Sequence, residues 1–255
     1  MLIAWTNRAD RAVLTASSEL AEQPGANVQR PIVAEKWGTA AGVKSAALTL
    51  DLGASLPCSV LALLGSNLTS AATVRLRGSD TDPTAAAGDA YDSGSLSAGV
   101  KAGYGAVYKG FTSAAARYWR VDLADASLSD NLEVGRLFLG PSWAPTYGQS
   151  WGWSVELDEQ TKVAYSRGGQ AYPSELPQAR VISFNLDFGT EAEMYGNAFA
   201  MARQNGLARD VLAIHDIAGA YLSEQAVFGL LTAHTPLVQE KHQIFRQKFT
   251  IKERL

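Results

Sequence analysis

The feature that most constrains this chain is a two-residue alternation of apolar and polar side chains, repeated between clusters of Gly, Pro, Ser and Asp. Leu48, Leu50 and Leu52 fall on one side of an extended backbone, with Thr49 and Asp51 on the other. That is the period of a half-buried strand. In residues 73–77, Val74 and Leu76 oppose Arg75 and Arg77. In residues 118–123, Trp119, Val121 and Leu123 oppose Tyr118, Arg120 and Asp122. Residues 59–64 form an almost continuous apolar run, as expected of a strand covered on both faces, and residues 133–139 supply a last strand before Gly140-Pro141. Gly53 marks the end of the first strand, and Gly65-Ser66-Asn67 marks a turn. Stretches 79–88 and 92–105 are rich in Asp, Ser, Gly and Ala. Short strands, frequent turns and no amphipathic helix predict a β-sandwich over residues 1–142, with its loops gathered at one end.

Residues 141–152 contain two prolines and two glycines and read as a linker or arm. Trp143, Tyr147, Trp151 and Trp153 are dense there and are candidate partner contacts, since Trp and Tyr dominate interface energetics; the alternative is that they cover a domain junction. Residues 153–157 and 162–166 alternate around Asp158-Glu159-Gln160-Thr161, which predicts a hairpin. Residues 166–177 read as a loop, and 181–188 as a strand with Ile182, Phe184, Leu186 and Phe188 on one face. Thr190-Glu191-Ala192-Glu193 has the form of a capping box, with Glu193 reaching back to Thr190. The helix near 191–205 places Tyr195, Ala198, Phe199 and Ala202 on one face, and Asn205-Gly206 stops it. Strands follow at 211–214, 227–231 and 244–251. The last directs Phe245, Phe249 and Ile251 inward and Arg246, Lys248 and Lys252 outward. These cations are candidate partner contacts or, equally, guards on an edge strand. Residues 143–255 therefore read as a small antiparallel sheet or split barrel with one α-helix.

At 255 residues the chain holds one large domain or two modest ones. Its 47% hydrophobic and 18% charged residues mark a folding chain rather than a disordered one. A net charge of −3 leaves no broad basic field for a phosphate backbone, so no nucleic-acid partner is expected. The single cysteine, Cys58, excludes an intrachain disulfide and reads as a buried small hydrophobe. The start, Met1 to Arg8, lacks a signal-peptide pattern, and no apolar run reaches membrane-spanning length. Synthesis in the cytoplasm, without a signal peptide or membrane insertion, is the expectation.

Trp37-Gly38, Leu48-Thr49-Leu50-Asp51-Leu52-Gly53 and Leu64-Gly65-Ser66-Asn67-Leu68, followed by Tyr118-Trp119-Arg120-Val121, resemble the discoidin or galactose-binding-like jelly roll. Tyr91-Asp92-Ser93-Gly94 and residues 133–141 narrow this. They resemble minor tail and tail-tip proteins of long-tailed bacteriophages that carry such a jelly roll. Strand and helix order in residues 143–255 is similar to the belt domain of phage distal tail proteins and to tail-tube subunits. The resemblance implies a virion component at the tail tip or baseplate, a homo-oligomeric ring of threefold or sixfold symmetry, and tube, hub and tape-measure proteins as neighbours. Family jelly rolls bind sugars or partner proteins through their end loops, so the resemblance also implies host surface carbohydrate or another tail protein as the ligand of the sandwich loops.

Chemistry was sought in four motifs. Gly148-Gln149-Ser150-Trp151-Gly152 matches the serine-hydrolase Gly-x-Ser-x-Gly pattern, with His215, His234 and His242 downstream. The motif needs a strand-to-helix turn, whereas this one lies between a Pro-rich stretch and a strand. Gly38 to Ser45 has the wrong spacing for a phosphate loop. The histidines lack the i, i+4 pairing of a zinc helix. Asp80-Thr81-Asp82-Pro83 begins like a calcium loop but lacks its later glycine and glutamate, so a turn is the better reading, although some jelly rolls hold a structural calcium. No catalytic, cofactor or metal residue is assigned.

Three readings stand: a structural tail-tip or baseplate component, a free-standing carbohydrate-binding module with Trp37 and Tyr104 stacking on sugar rings, and an esterase using Ser150.

Overall fold

A computed structural model of the chain describes residues 1–233 and 235–254. Among the described residues the fold is mainly β, a β-sandwich and a second antiparallel sheet with one substantial helix. Two compact units divide the chain. One comprises Ala4–Ser142 and Asp216–Glu224; the other comprises Met1–Ile3, Trp143–His215 and Gln225–Leu255. The sandwich is thus inserted between the first residues and the rest of the second unit, a connectivity that a single boundary at residue 142 does not describe.

The sandwich is organised by two very long strands, Ser45–Leu64 and Val107–Ala124, against a usual length of roughly 3–10 residues. They pair antiparallel along both their halves, with register breaks between Asp51 and Leu56 and between Cys58 and Val60. Gly53 lies in the first break at φ 76, and its N–H donates to Asp51 Oδ1 at 2.7 Å. Gly53 therefore bends the strand rather than ending it. Leu48 and Leu50 from one half share a single core with Leu61 and Leu63 from the other, and with Trp119, Val121, Leu123, Val74 and Leu76. One hydrogen-bonded sheet thus folds over and packs against itself. Its order is Arg136–Gly140, Ser45–Leu64, Val107–Ala124, Thr73–Ser79, Tyr91–Asp92. Cys58 is buried in this core.

The second unit's sheet runs Leu2–Ala4, Val211–Ile214, Ala226–Leu231, Ile244–Glu253, Ala179–Thr190, Ser154–Asp158, with Val238–Lys241 added beside Ile244–Glu253. Phe245, Phe249 and Ile251 point into the core and Arg246 and Lys248 point out. Three expectations are corrected here. First, Ser154–Asp158 pairs with Ala179–Thr190 and not with its neighbour in sequence; Lys162–Tyr165 pairs instead with Ala171–Ser174. Second, Ile182, Phe184 and Leu186 are buried but Phe188 is not, because a register shift between Leu186 and Gly189 inverts the alternation.

Third, the helix takes a π-helical turn over Met194–Phe199 between α segments Glu191–Glu193 and Ala200–Asn205. Its buried side chains are Met194, Ala198, Met201 and Asn205, while Tyr195 and Phe199 remain 49% and 47% exposed. Half of the capping box forms: Thr190 Oγ1 accepts from the Glu193 N–H at 3.3 Å. The Glu193 carboxylate does not close the box. It accepts from Trp143 Nε1 at 3.1 Å and from the Thr146 N–H at 2.9 Å, pinning the start of the aromatic segment.

Candidate functional site

The aromatic segment 143–153 is built from two kinds of residue. Trp143 is structural: its backbone exchanges hydrogen bonds with Ile3 at 2.8 and 2.7 Å, and its indole is held by Glu193. Trp153 is half-buried and stacks on the His215 ring, with centroids 3.9 Å apart, while His215 Nδ1 lies 2.6 Å from Gln149 Nε2. Tyr147 and Trp151 face solvent, Trp151 completely. Of the predicted cations, Arg246 pairs with Glu240 at 2.7 Å and Lys252 pairs with Asp158, while Lys248 is exposed.

Beyond these, the hairpin of Lys162–Tyr165 and Ala171–Ser174 leaves every residue from 162 to 178 exposed. Among the described residues, 17 large hydrophobic side chains are exposed, and 13 of them belong to the second unit. Contiguous apolar surface marks an interaction site, and the side chains that could build one lie mainly on the second unit. Tyr147 and Trp151, named in the sequence for their density, are exposed. Val163 and Tyr165, whose alternation imitates an ordinary half-buried strand, and Tyr172, in a stretch that reads as a loop, were not named.

The sandwich carries an open cleft of about 420 Å³ lined by Glu22, Gln23, Asn27, Arg30, Glu35 and Lys36, with Pro24 and Ala34 as its apolar part. The loop that forms it crosses Gly65 and Gly135, where an added Cβ would meet Val33 at 2.6 and 2.0 Å. Arg30 pairs with Glu35 at 2.8 Å, Lys36 with Glu133 at 2.9 Å, and Asn27 Nδ2 donates to the Lys36 carbonyl at 2.9 Å. Gln23 Oε1 is buried without a hydrogen-bond partner among the described residues. It lies where a Cβ on residue 38 would stand, 1.9 Å away, so Gly38 is what admits the amide. Gln23 Oε1 is covered from solvent, so what the open cleft offers a ligand is its lining of Arg30, Lys36, Glu22, Glu35 and the Asn27 amide, groups that can donate to or accept from hydroxyls.

The predicted sugar-stacking residues are not brought together. Trp37 is fully buried and donates Nε1 to the Ser18 carbonyl at 3.0 Å, so the expectation that it stacks on a sugar ring is corrected. Tyr104 is half-buried in its loop, with Lys101 Nζ 5.9 Å from the ring centroid. Ser150 Oγ is buried with no hydrogen-bond partner among the described residues, and the next element is the strand Ser154–Asp158 rather than a helix. His242 is exposed and His234 lies outside the described residues. The hydrolase arrangement is therefore not assembled from Ser150, His215 and His242. Asp82 caps its own turn, accepting from the Thr84, Ala86 and Ala87 N–H groups at 2.9, 2.8 and 3.2 Å. Among the described residues no group of three His, Cys, Asp or Glu side chains is placed to hold a metal ion, and no helix is long and apolar enough to cross a membrane.

No protein-family model matches the chain, and no curated protein matches it. Solved structures do. A chitosan-binding module 1 from a chitosanase/glucanase of Paenibacillus sp. IK-5 is 19% identical, over 52% of this chain and 98% of that one, with a TM-score of 0.41. The lectin domain of Lectinolysin, complexed with Lewis B antigen, is 14% identical, over 53% of this chain and 96% of that one, with a TM-score of 0.42. A GH29 fucosidase of Ruminococcus gnavus is 17% identical, over 54% of this chain and 27% of that one, with a TM-score of 0.42. Likeness at this level leaves the reading of function to the residues themselves.

Proposed function

We propose that this chain is a non-enzymatic assembly component, a subunit of a phage tail tip or baseplate whose second unit joins a homo-oligomeric ring. The observation that carries the reading is the uneven surface: among the described residues, 13 of the 17 exposed large hydrophobic side chains lie on the second unit, and the other four, Val13, Ile32, Leu96 and Tyr221, on the sandwich. A unit built to stay alone in water would cover such groups, at roughly 1.5–3 kcal/mol for each large side chain fully buried. A unit built for an assembly leaves them for its neighbours. The tail-tip assignment follows from the sequence resemblance and is tested in the particle. Antibody against the chain should label tail ends of intact virions; label found only in the unassembled protein fraction contradicts it.

A second reading concerns the sandwich and is compatible with the first. The cleft around Gln23, Asn27, Arg30 and Glu35 is supported as a carbohydrate site by its open lining of amide, guanidinium and carboxylate side chains. On this reading the sandwich presents the assembly to a surface glycan. A glycan array that gives signal for the native chain, and loses it for Arg30→Ala, supports the reading. Signal unchanged in that variant removes the cleft from it.

A further inference from the structure

The register of the exposed hairpin has a physical consequence. Val163 stands opposite Pro173 and Tyr165 opposite Ala171, while Lys162 stands opposite Ser174 and Ala164 opposite Tyr172. Residues directly opposite on antiparallel strands project to the same side. One face of the hairpin is therefore wholly apolar, made of Val163, Tyr165, Ala171 and Pro173, and Tyr165 is 72% exposed. The other face mixes Lys162 and Ser174 with Ala164 and Tyr172. A two-stranded hairpin that covers neither face is at best marginally stable in water, so the apolar face needs a surface to lie against.

The same unit exposes a second apolar surface of different shape. Tyr195 and Phe199 stand on the outer side of the helix with ring centroids 5.8 Å apart. Gly196 beside them has nothing within 4 Å of where a Cβ would be, which leaves a notch next to the aromatic ridge. The π-helical turn that carries them is the kind of local irregularity that recurs at functional sites. Charge beside the two surfaces differs: Arg167 lies in the hairpin's turn, with Lys162 on its other face, while Asp187 and Glu191 precede the ridge and Glu193 is engaged by Trp143 and Thr146.

We propose that the occupant of the helix surface is a second copy of this chain: the apolar face of one copy's hairpin lies on the Tyr195–Phe199 ridge of the next. Two unlike patches on one chain make a head-to-tail contact, and such contacts close into rings when the rotation between copies allows it. The inference rests on the assembly reading and adds to it which two surfaces meet.

Disulfide trapping in the full chain tests it. Tyr165→Cys and Phe199→Cys are made separately, and the two proteins are mixed under mild oxidation. Cys58 is buried and stays silent. The expected result is a disulfide-linked dimer in the mixture, absent from either protein alone and absent when Tyr172→Cys, on the opposite face, replaces Tyr165→Cys. An oligomeric chain that gives no mixed dimer, or gives it equally with Tyr172→Cys, overturns this contact while leaving the assembly reading in place. A chain that sediments as a monomer at tens of micromolar, well above working affinities of roughly 1 μM, overturns both.

Discussion

Arg77 and Arg120 stand directly opposite each other on adjacent antiparallel strands of the sandwich. Like charges in that position repel, and Asp122 is what holds them. Its Oδ2 accepts from Arg77 Nη2 at 2.6 Å and its Oδ1 from Arg120 Nε at 2.8 Å. With the Arg77 and Asp122 side chains only 13% and 27% exposed, the carboxylate is poorly replaced by solvent. Asp122→Asn should lower stability by about 1–3 kcal/mol, read as a reduced urea midpoint. Adding Arg120→Gln to that variant should recover part of the loss by removing the unopposed repulsion. A midpoint unchanged in Asp122→Asn contradicts the account.

The aspartates of the sandwich surface set its acid response. Asp51 is held down to about 2 by hydrogen bonds from Arg117 first and from the Gly53 N–H, and Asp92 to about 2, chiefly by Arg75. A depressed folded-state pKa contributes stability that is present above the unfolded value, near 4, and is lost as pH falls through the folded value. Stability should therefore decline between about pH 4 and pH 2. Arg117→Ala should move the Asp51 carboxyl back up, visible in an NMR titration. A denaturation midpoint that is flat across that window would count against these pairings.

Cys58 reports on the core from inside. Burial pushes its thiol up to about 12, and the thiolate is the reactive species. The native chain should resist maleimide labelling at pH 8, and labelling should track global unfolding by denaturant. Rapid labelling of folded protein would mean that this end of the strand opens on its own.

Ile3 and Trp143 exchange two backbone hydrogen bonds, at 2.8 and 2.7 Å, across an insertion of well over a hundred residues. Replacing residues 5–141 with a short Gly/Ser turn should leave the second unit foldable, since a tight turn can join an antiparallel pair. The expected readout is a β-type circular dichroism spectrum with a cooperative melt. An unfolded product would show that the second unit depends on the sandwich for its stability.

Much of this architecture was legible in the sequence because alternation reports burial directly. Leu48, Leu50, Trp119, Val121, Phe245 and Phe249 all face the side that their spacing requires. The failures have identifiable causes. Phe188 kept the alternation of its strand, but a bulge, which has no fixed sequence signature, turned it outward. In the helix, Met194-Ala198-Met201 and Tyr195-Phe199 are two stripes one residue apart with similar spacing, and the larger aromatic side chains pointed to the wrong one. Residues 153–157 and 162–166 each alternate well, but alternation does not name the partner strand. The cleft was missed because its residues, Gln23, Asn27 and Arg30, are scattered polar positions in a loop. Only the register of that loop over Gly65 and Gly135 brings them together.

On the proposal made above, the second unit's exposed apolar side chains are covered by further copies of the chain. Negative-stain electron microscopy of the purified full chain tests this most directly. The account predicts closed rings of threefold or sixfold symmetry, lost when Val163→Lys and Tyr165→Lys are introduced together on the hairpin. Single, isolated particles of one chain, with or without those substitutions, would contradict it.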